Sequence, residues 1–166
     1  RAAQGGAAAG STAESCTIAG NRAPNSGRGG GVSCDHGGTL RNCIVYGNTA
    51  AQYPNHYELS GGSYTYCCTT PSVSGTGNKS SDPVFTNAPA GNYRLAAASP
   101  CVDAGTNEAW MAGAFDLDGL PRRIGIADMG AYEAGQWFCD FSGAPGAGIA
   151  QLTVDFASEF LGTNGL

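Results

Sequence analysis

Charge is scarce in this chain: only 13% of its 166 residues are Asp, Glu, Lys or Arg. Eight basic residues face thirteen acidic ones, for a formal net charge of −5. Arg122-Arg123 is the densest basic spot and lies among acids, so no surface exists that would neutralise nucleic-acid phosphates. Long apolar runs are missing too, and none approaches the length that spans a bilayer. No segment before residue 100 carries the apolar period of an amphipathic helix. Cysteine spacing of the zinc-binding kind is absent, since Cys67 and Cys68 are adjacent. There is no Ser/His/Asp constellation, phosphate-cradling loop or dinucleotide fingerprint. No signal-peptide pattern opens the chain, because Arg1 stands inside a small-residue stretch, and the expectation is a piece of something longer.

What the chain has is glycine, 27 of them, and a repeated phrase. Ser15-Cys16-Thr17-Ile18-Ala19-Gly20-Asn21-Arg22-Ala23 returns as Asn42-Cys43-Ile44-Val45-Tyr46-Gly47-Asn48-Thr49-Ala50. Gly5-Gly6-Ala7-Ala8 precedes the first copy and Gly29-Gly30-Gly31-Val32 the second. A period of this size, with a short strand-like core and a Gly-Asn turn, predicts an all-β solenoid of stacked short strands. Alternation places Cys16 and Ile18 inward in one copy, Cys43 and Val45 in the next, with Leu40 contributing before a bend. Tyr57–Ser60, Ser63–Thr70, Val84-Phe85 and Tyr93–Leu95 read as further strands, the last two separated by a loop over Asn87–Asn92.

Seven cysteines cannot all pair internally. Cys16, Cys43 and Cys67 or Cys68 share one place in successive repeats, where parallel neighbours lie about 4.8 Å apart and side chains point the same way. A buried thiol ladder is favoured over a disulfide framework on that ground. Asn21 and Asn48 follow a glycine at equivalent corners, which predicts an asparagine ladder along the stack.

The phrases Tyr66-Cys67-Cys68-Thr69-Thr70-Pro71, Ser80-Ser81-Asp82-Pro83-Val84-Phe85, Tyr93-Arg94-Leu95, Ser99-Pro100-Cys101-Val102-Asp103-Ala104-Gly105 and Asp128-Met129-Gly130-Ala131-Tyr132-Glu133 carry a resemblance. Over residues 1–135 the chain resembles secreted right-handed parallel β-helix repeat proteins of the choice-of-anchor type. Its repeats are also similar, more weakly, to those of polymorphic outer-membrane adhesins. Residues 136–166 look like the opening strands of a PKD-type immunoglobulin-like module whose later signature is absent. The resemblance implies rungs over 1–81, a last rung and irregular C-terminal cap over 82–135, and a truncated β-sandwich strand pair after that. It implies an extracellular or cell-surface parent with neighbouring modules, and no single activity.

Three chemistries compete. Asp116, Asp118 and Asp128 supply hard oxygen ligands, and Asp116-x-Asp118-Gly119 opens like a calcium loop, making calcium the candidate cofactor. Against that, the twelfth position is Ala127, and the same acids serve equally as turn caps while Arg122 or Arg123 pairs with Asp128 or Glu133. Tyr53, Tyr57, Tyr64 and Tyr66 gather near the third rung and form a candidate lateral strip for stacking sugars; a half-exposed strand face explains them as well. Trp110 and Trp137 are expected to plug the open end or cover the junction to the next module. His36 and His56 read as loop residues, and the acids of the repeats, Glu14, Asp35 and Glu58, fall at unequal offsets, so no catalytic residue is assigned. The reading is a non-catalytic surface scaffold or adhesion module that contacts polysaccharide or cell-surface glycan. The alternative is part of a polysaccharide lyase or glycoside hydrolase, with its active site on the lateral face or upstream.

Overall fold

The computed structural model describes residues 11–34 (backbone alone at 24–26), 37–58 and 61–134, and the backbone of strands Trp137–Cys139 and Leu152–Val154. The chain divides into two compact units, Arg1–Ala134 and Gly135–Leu166.

The first unit is all-β, with single 3₁₀ turns at Ala88–Ala90 and Ala109–Met111 and no α-helix among the described residues. Its strands are β1 (Thr12–Glu14), β2 (Thr17–Ala19), β3 (Arg22–Arg28), β4 (Val32–Ser33), β5 (Thr39–Arg41), β6 (Ile44–Tyr46), β7 (Thr49–Gln52), β8 (His56–Tyr57), β9 (Ser63–Thr65), β10 (Cys68–Thr69), β11 (Phe85–Asn87) and β12 (Asn92–Leu95). Among the described residues four small parallel sheets form, ordered β1-β5-β9, β2-β6-β10, β3-β7 and β4-β8. Their registers repeat the sequence phrase: Thr12 faces Thr39, Ile18 faces Val45 and Ala23 faces Ala50, each 27 residues on. Within β3 the offset drops to 24, as Arg28 pairs with Gln52, and it remains so at Val32–His56, Leu40–Tyr64 and Ile44–Cys68. The irregularity in β3 therefore absorbs the three-residue difference between the two repeat lengths, leaving strand order unchanged.

Equivalent bends separate the first two strands of each pass. Ser15, Asn42 and Tyr66 occupy them with φ of 50, 51 and 53°. An Asn there is tolerated because its short polar chain fits the left-handed region; Asn42 is fully buried and uses its amide elsewhere. The glycine corners follow, and beyond them the expected asparagine ladder forms. Asn48 Oδ1 accepts from Asn21 Nδ2 at 3.0 Å and from its backbone N–H at 2.9 Å. Asn48 Nδ2 donates to Ile18 O at 2.8 Å, and Asn55 Oδ1 accepts from the Asn48 N–H at 3.0 Å.

Two apolar clusters lie on opposite faces of β2-β6-β10. The inner one holds Val32, Leu40, Cys43, Val45, Tyr64 and Cys67, with Ala13, Cys16 and Ile18 against it, matching the inward positions read from alternation. Cys16 Sγ donates to Glu14 O and Cys43 Sγ to Arg41 O, each thiol bonding the carbonyl two residues back. The outer cluster holds Ile44 and Cys68 from the sheet, and Leu95, Cys101 and Met129 from residues 82–134. The segment expected to cap the open end thus packs on the lateral face of a sheet. The physical reason is visible in Ile44-Val45, both buried: a strand apolar on two faces needs cover on both. Trp110, expected as a plug, is half exposed.

The docking of this cover is specific. Asn42 Nδ2 donates to Thr106 O and Asn42 Oδ1 accepts from Thr106 N, each at 2.8 Å. Gly130 N donates to Asn42 O at 2.7 Å and Ala131 N to Thr17 Oγ1 at 3.0 Å. β11 and β12 pair antiparallel over a 3₁₀ turn in which Asn87 Oδ1 caps Ala90 N.

In the second unit, β13 (Trp137–Cys139) and β14 (Leu152–Val154) pair antiparallel with Phe138 opposite Thr153. Two strands are expected in this region, and their side chains lie outside the described residues, as does that of Trp137.

Candidate functional site

An open groove of about 640 Å³ runs between the glycine corners of β2 and β6 and the β11–β12 hairpin. Ala19-Gly20 and Tyr46-Gly47 form one wall; Asp82, Val84, Phe85, Asn87 and Tyr93 are on the other. Alternation puts Tyr46 here: with Cys43 and Val45 inward, Ile44 and Tyr46 face out. Phe85 and Tyr93 sit edge to face with ring centroids 5.3 Å apart, each held by its own strand of the hairpin. Gly20 and Gly47 both have positive φ, of 69 and 66°, and differ in surroundings. A methyl group on Gly20 would lie 2.5 Å from the Tyr93 hydroxyl, whereas one on Gly47 would meet nothing within 4 Å. Gly20 is therefore where the hairpin closes onto the stack.

Val84 adds backbone strain. It has φ of 49°, an outlier for a β-branched residue, and is substantially exposed in the groove wall. Asp82 Oδ1 accepts from the Val84 N–H at 2.8 Å and the Val84 carbonyl accepts from Ala96 N at 3.0 Å, which holds the residue there. Among the described residues Asp82 is the only carboxylate lining the groove, and burial raises the pKa of the Tyr46 phenol, with the Asp82 charge a smaller contribution.

The four tyrosines of the candidate strip do not share an exposed face. Tyr53 is half exposed with its ring 4.9 Å from that of Tyr57, which is buried under the Arg28 guanidinium. Tyr64 is buried in the inner cluster beside His56, and burial pushes its phenol well above the usual range. Tyr66 packs on the outer cluster. His56 is a strand residue, its Nδ1 3.1 Å from Thr69 Oγ1, and burial lowers its pKa. His36 and Asp35 lie outside the described residues.

The three aspartates considered for calcium stand in separate bonds. Asp116 Oδ1 accepts from Asp118 N and Leu120 N, and its Oδ2 from Glu133 N. Asp118 pairs with Arg94, whose Nε reaches Oδ2 at 2.6 Å. Asp128 is buried, with Oδ1 accepting from Asp103 N at 2.7 Å and Oδ2 from Ala134 N at 2.5 Å. Among the described residues no group of three or more His, Cys, Asp or Glu is placed to hold a metal ion. Arg122 pairs with Glu133 and also donates to the Asp128 and Gly130 carbonyls.

The groove residues were not singled out from the sequence because they come from three separated segments, each ordinary alone. The one linear signal is Tyr46 beside Gly47, where the preceding repeat has Ala19 beside Gly20. No family model, curated protein or solved structure matches the chain. Among the described residues no helix is long and apolar enough to cross a membrane.

Proposed function

We propose that this chain is a non-catalytic scaffold and adhesion module, built as a right-handed parallel β-helix and displayed outside the cell or on its surface. In this reading it belongs to the choice-of-anchor type, continues into a PKD-like module, and contacts carbohydrate. The in-register parallel pairs at 27 and 24 residues support the β-helix. The groove between the glycine corners and the hairpin carries the functional reading: among the described residues it offers Tyr46, Phe85 and Tyr93 with Asn87 to a ligand, and the carboxylate of Asp82. Rings supply stacking area for sugar faces, and an amide supplies hydroxyl recognition. Glycoside hydrolysis needs two carboxylates across the scissile bond, and among the described residues the groove has Asp82, which already caps Val84.

Titration of the whole protein with a panel of neutral and acidic oligosaccharides tests this, with reducing-end release measured on the same samples. Binding that weakens about tenfold in Tyr93→Ala, without product release, is the expected result. Binding indifferent to both Tyr46→Ala and Tyr93→Ala sinks the groove assignment. Release of reducing ends would instead favour a polysaccharide lyase or hydrolase.

A further inference from the structure

Cys68 in β10 and Cys101 in the covering segment are both fully buried in the outer cluster with Ile44, Leu95 and Met129. Cys68 Sγ donates to Ser81 O at 3.2 Å, and across the boundary between sheet and cover each of the two thiols is the strongest influence on the other's ionisation, which raises Cys68 and lowers Cys101. Each backbone is pinned: Cys68 N donates to Cys43 O at 2.8 Å, Met129 N donates to Cys101 O at 3.0 Å, and Cys101 N donates to Ser99 Oγ at 3.1 Å. The inner cysteines differ in geometry. Cys16, Cys43 and Cys67 directly precede β2, β6 and β10 at equivalent places in the stack, where side chains project the same way at the strand spacing of about 4.8 Å. A disulfide prefers a Cβ separation of about 3.8 Å between side chains that converge. Cys68 belongs to the sheet and Cys101 to the segment that covers it, so the two side chains enter one buried cluster from opposite sides.

We propose that Cys68 and Cys101 are a cross-linking pair, and that a disulfide between them staples the covering segment to the outer face of the β2-β6-β10 sheet. Both are thiols in the present structure. The oxidant is a small-molecule disulfide of the glutathione class. One cysteine thiolate attacks it and expels a glutathione thiolate; the second cysteine then attacks the resulting mixed disulfide and expels the other. One protein S–S bond forms, one glutathione S–S bond breaks, and the two electrons and two protons leave in two glutathione thiols. Exchange occurs before the cover closes, because the docked sulfurs have no exposure. The inference rests on packing and is independent of carbohydrate contact.

The whole chain is refolded with reduced and oxidised glutathione, then alkylated in denaturant, digested without reductant and mapped by mass. The expected product is one cross-linked peptide pair, about two mass units lighter than its reduced parts, joining the Cys68 segment to the Cys101 segment. It should vanish in Cys68→Ala and in Cys101→Ala. It should persist in Cys67→Ala, whose residue belongs to the inner cluster. Reduction should lower the Tm of the unaltered chain by roughly 10 °C. Folded protein in which both thiols are fully alkylated, or a link joining Cys68 or Cys101 to any other cysteine, overturns the proposal. The mapping is done on the unaltered chain, so a variant that fails to fold does not remove the test.

Discussion

Arg122 Nη1 donates to Glu133 Oε2 at 2.5 Å, and both side chains are almost wholly removed from solvent. The same glutamate accepts from Ile124 N and Asp128 N, and the same arginine donates to the Asp128 and Gly130 carbonyls. The pair therefore organises the chain around Met129, which packs against Ile44 of the stack. Arg122→Ala leaves a buried carboxylate without its partner and should cost about 3–5 kcal/mol in urea denaturation. An effect below about 1 kcal/mol would mean that the cover does not depend on this pair.

The same network sets a pH dependence. Burial pushes the Asp128 carboxyl up to about 6 and that of Glu133 up to about 7, against opposing hydrogen bonds from backbone N–H groups. Arg122 opposes both shifts, while Asp103 adds to the first and Asp128 to the second. A raised carboxyl pKa means the folded state binds its proton more tightly than the unfolded state. The contribution is present below about pH 4 and is lost as pH rises through 6 and 7. The unfolding free energy from urea denaturation should fall by an amount on the order of a few kcal/mol between pH 4.5 and 7.5 and then level off, less whatever other groups add. The slope should flatten in the double variant Asp128→Asn, Glu133→Gln.

Asn48 and Asn21 occupy the same place in successive repeats and should behave differently. Asn48 is buried and serves Asn21, Ile18 and Asn55, whereas Asn21 is exposed. Asn48→Ala leaves the Ile18 carbonyl without its amide donor and should cost about 2–3 kcal/mol, with Asn21→Ala within about 1 kcal/mol. Equal losses in thermal melts would show that depth in the stack does not matter.

Gly20→Ala and Gly47→Ala separate backbone strain from groove shape. Both force a side chain at positive φ, which costs about 1–2 kcal/mol. Only the first drives a methyl group into the Tyr93 hydroxyl. Gly20→Ala should therefore lose more stability and also shift Tyr93, read as a change in near-ultraviolet circular dichroism that Gly47→Ala does not produce.

Calcium has a direct test. Asp116 and Asp128 are already bonded to backbone N–H groups, and Asp118 to Arg94. Melting curves with calcium or chelator should coincide, and Asp118→Asn should cost no more than about 1 kcal/mol, as for a partly exposed pair. A calcium-dependent rise in Tm would reopen the site.

Composition and periodicity were enough for the strand-rich class, for the repeat register at Thr17–Ala19 and Ile44–Tyr46, and for the inward positions Cys43 and Val45, because these depend on local alternation and on turn chemistry that recurs along the chain. They also located the corner asparagines, since Gly20-Asn21 and Gly47-Asn48 are adjacent in sequence. Tertiary structure decided what covers the second face of β6, which bonds Asn42 makes to Thr106, and which tyrosines reach a groove. Tyr64 looks like Tyr46 in sequence, yet one is buried against Val32 and Leu40 and the other borders open space. That difference arises from contacts between segments distant along the chain, and a side chain's own neighbours in sequence carry no record of them.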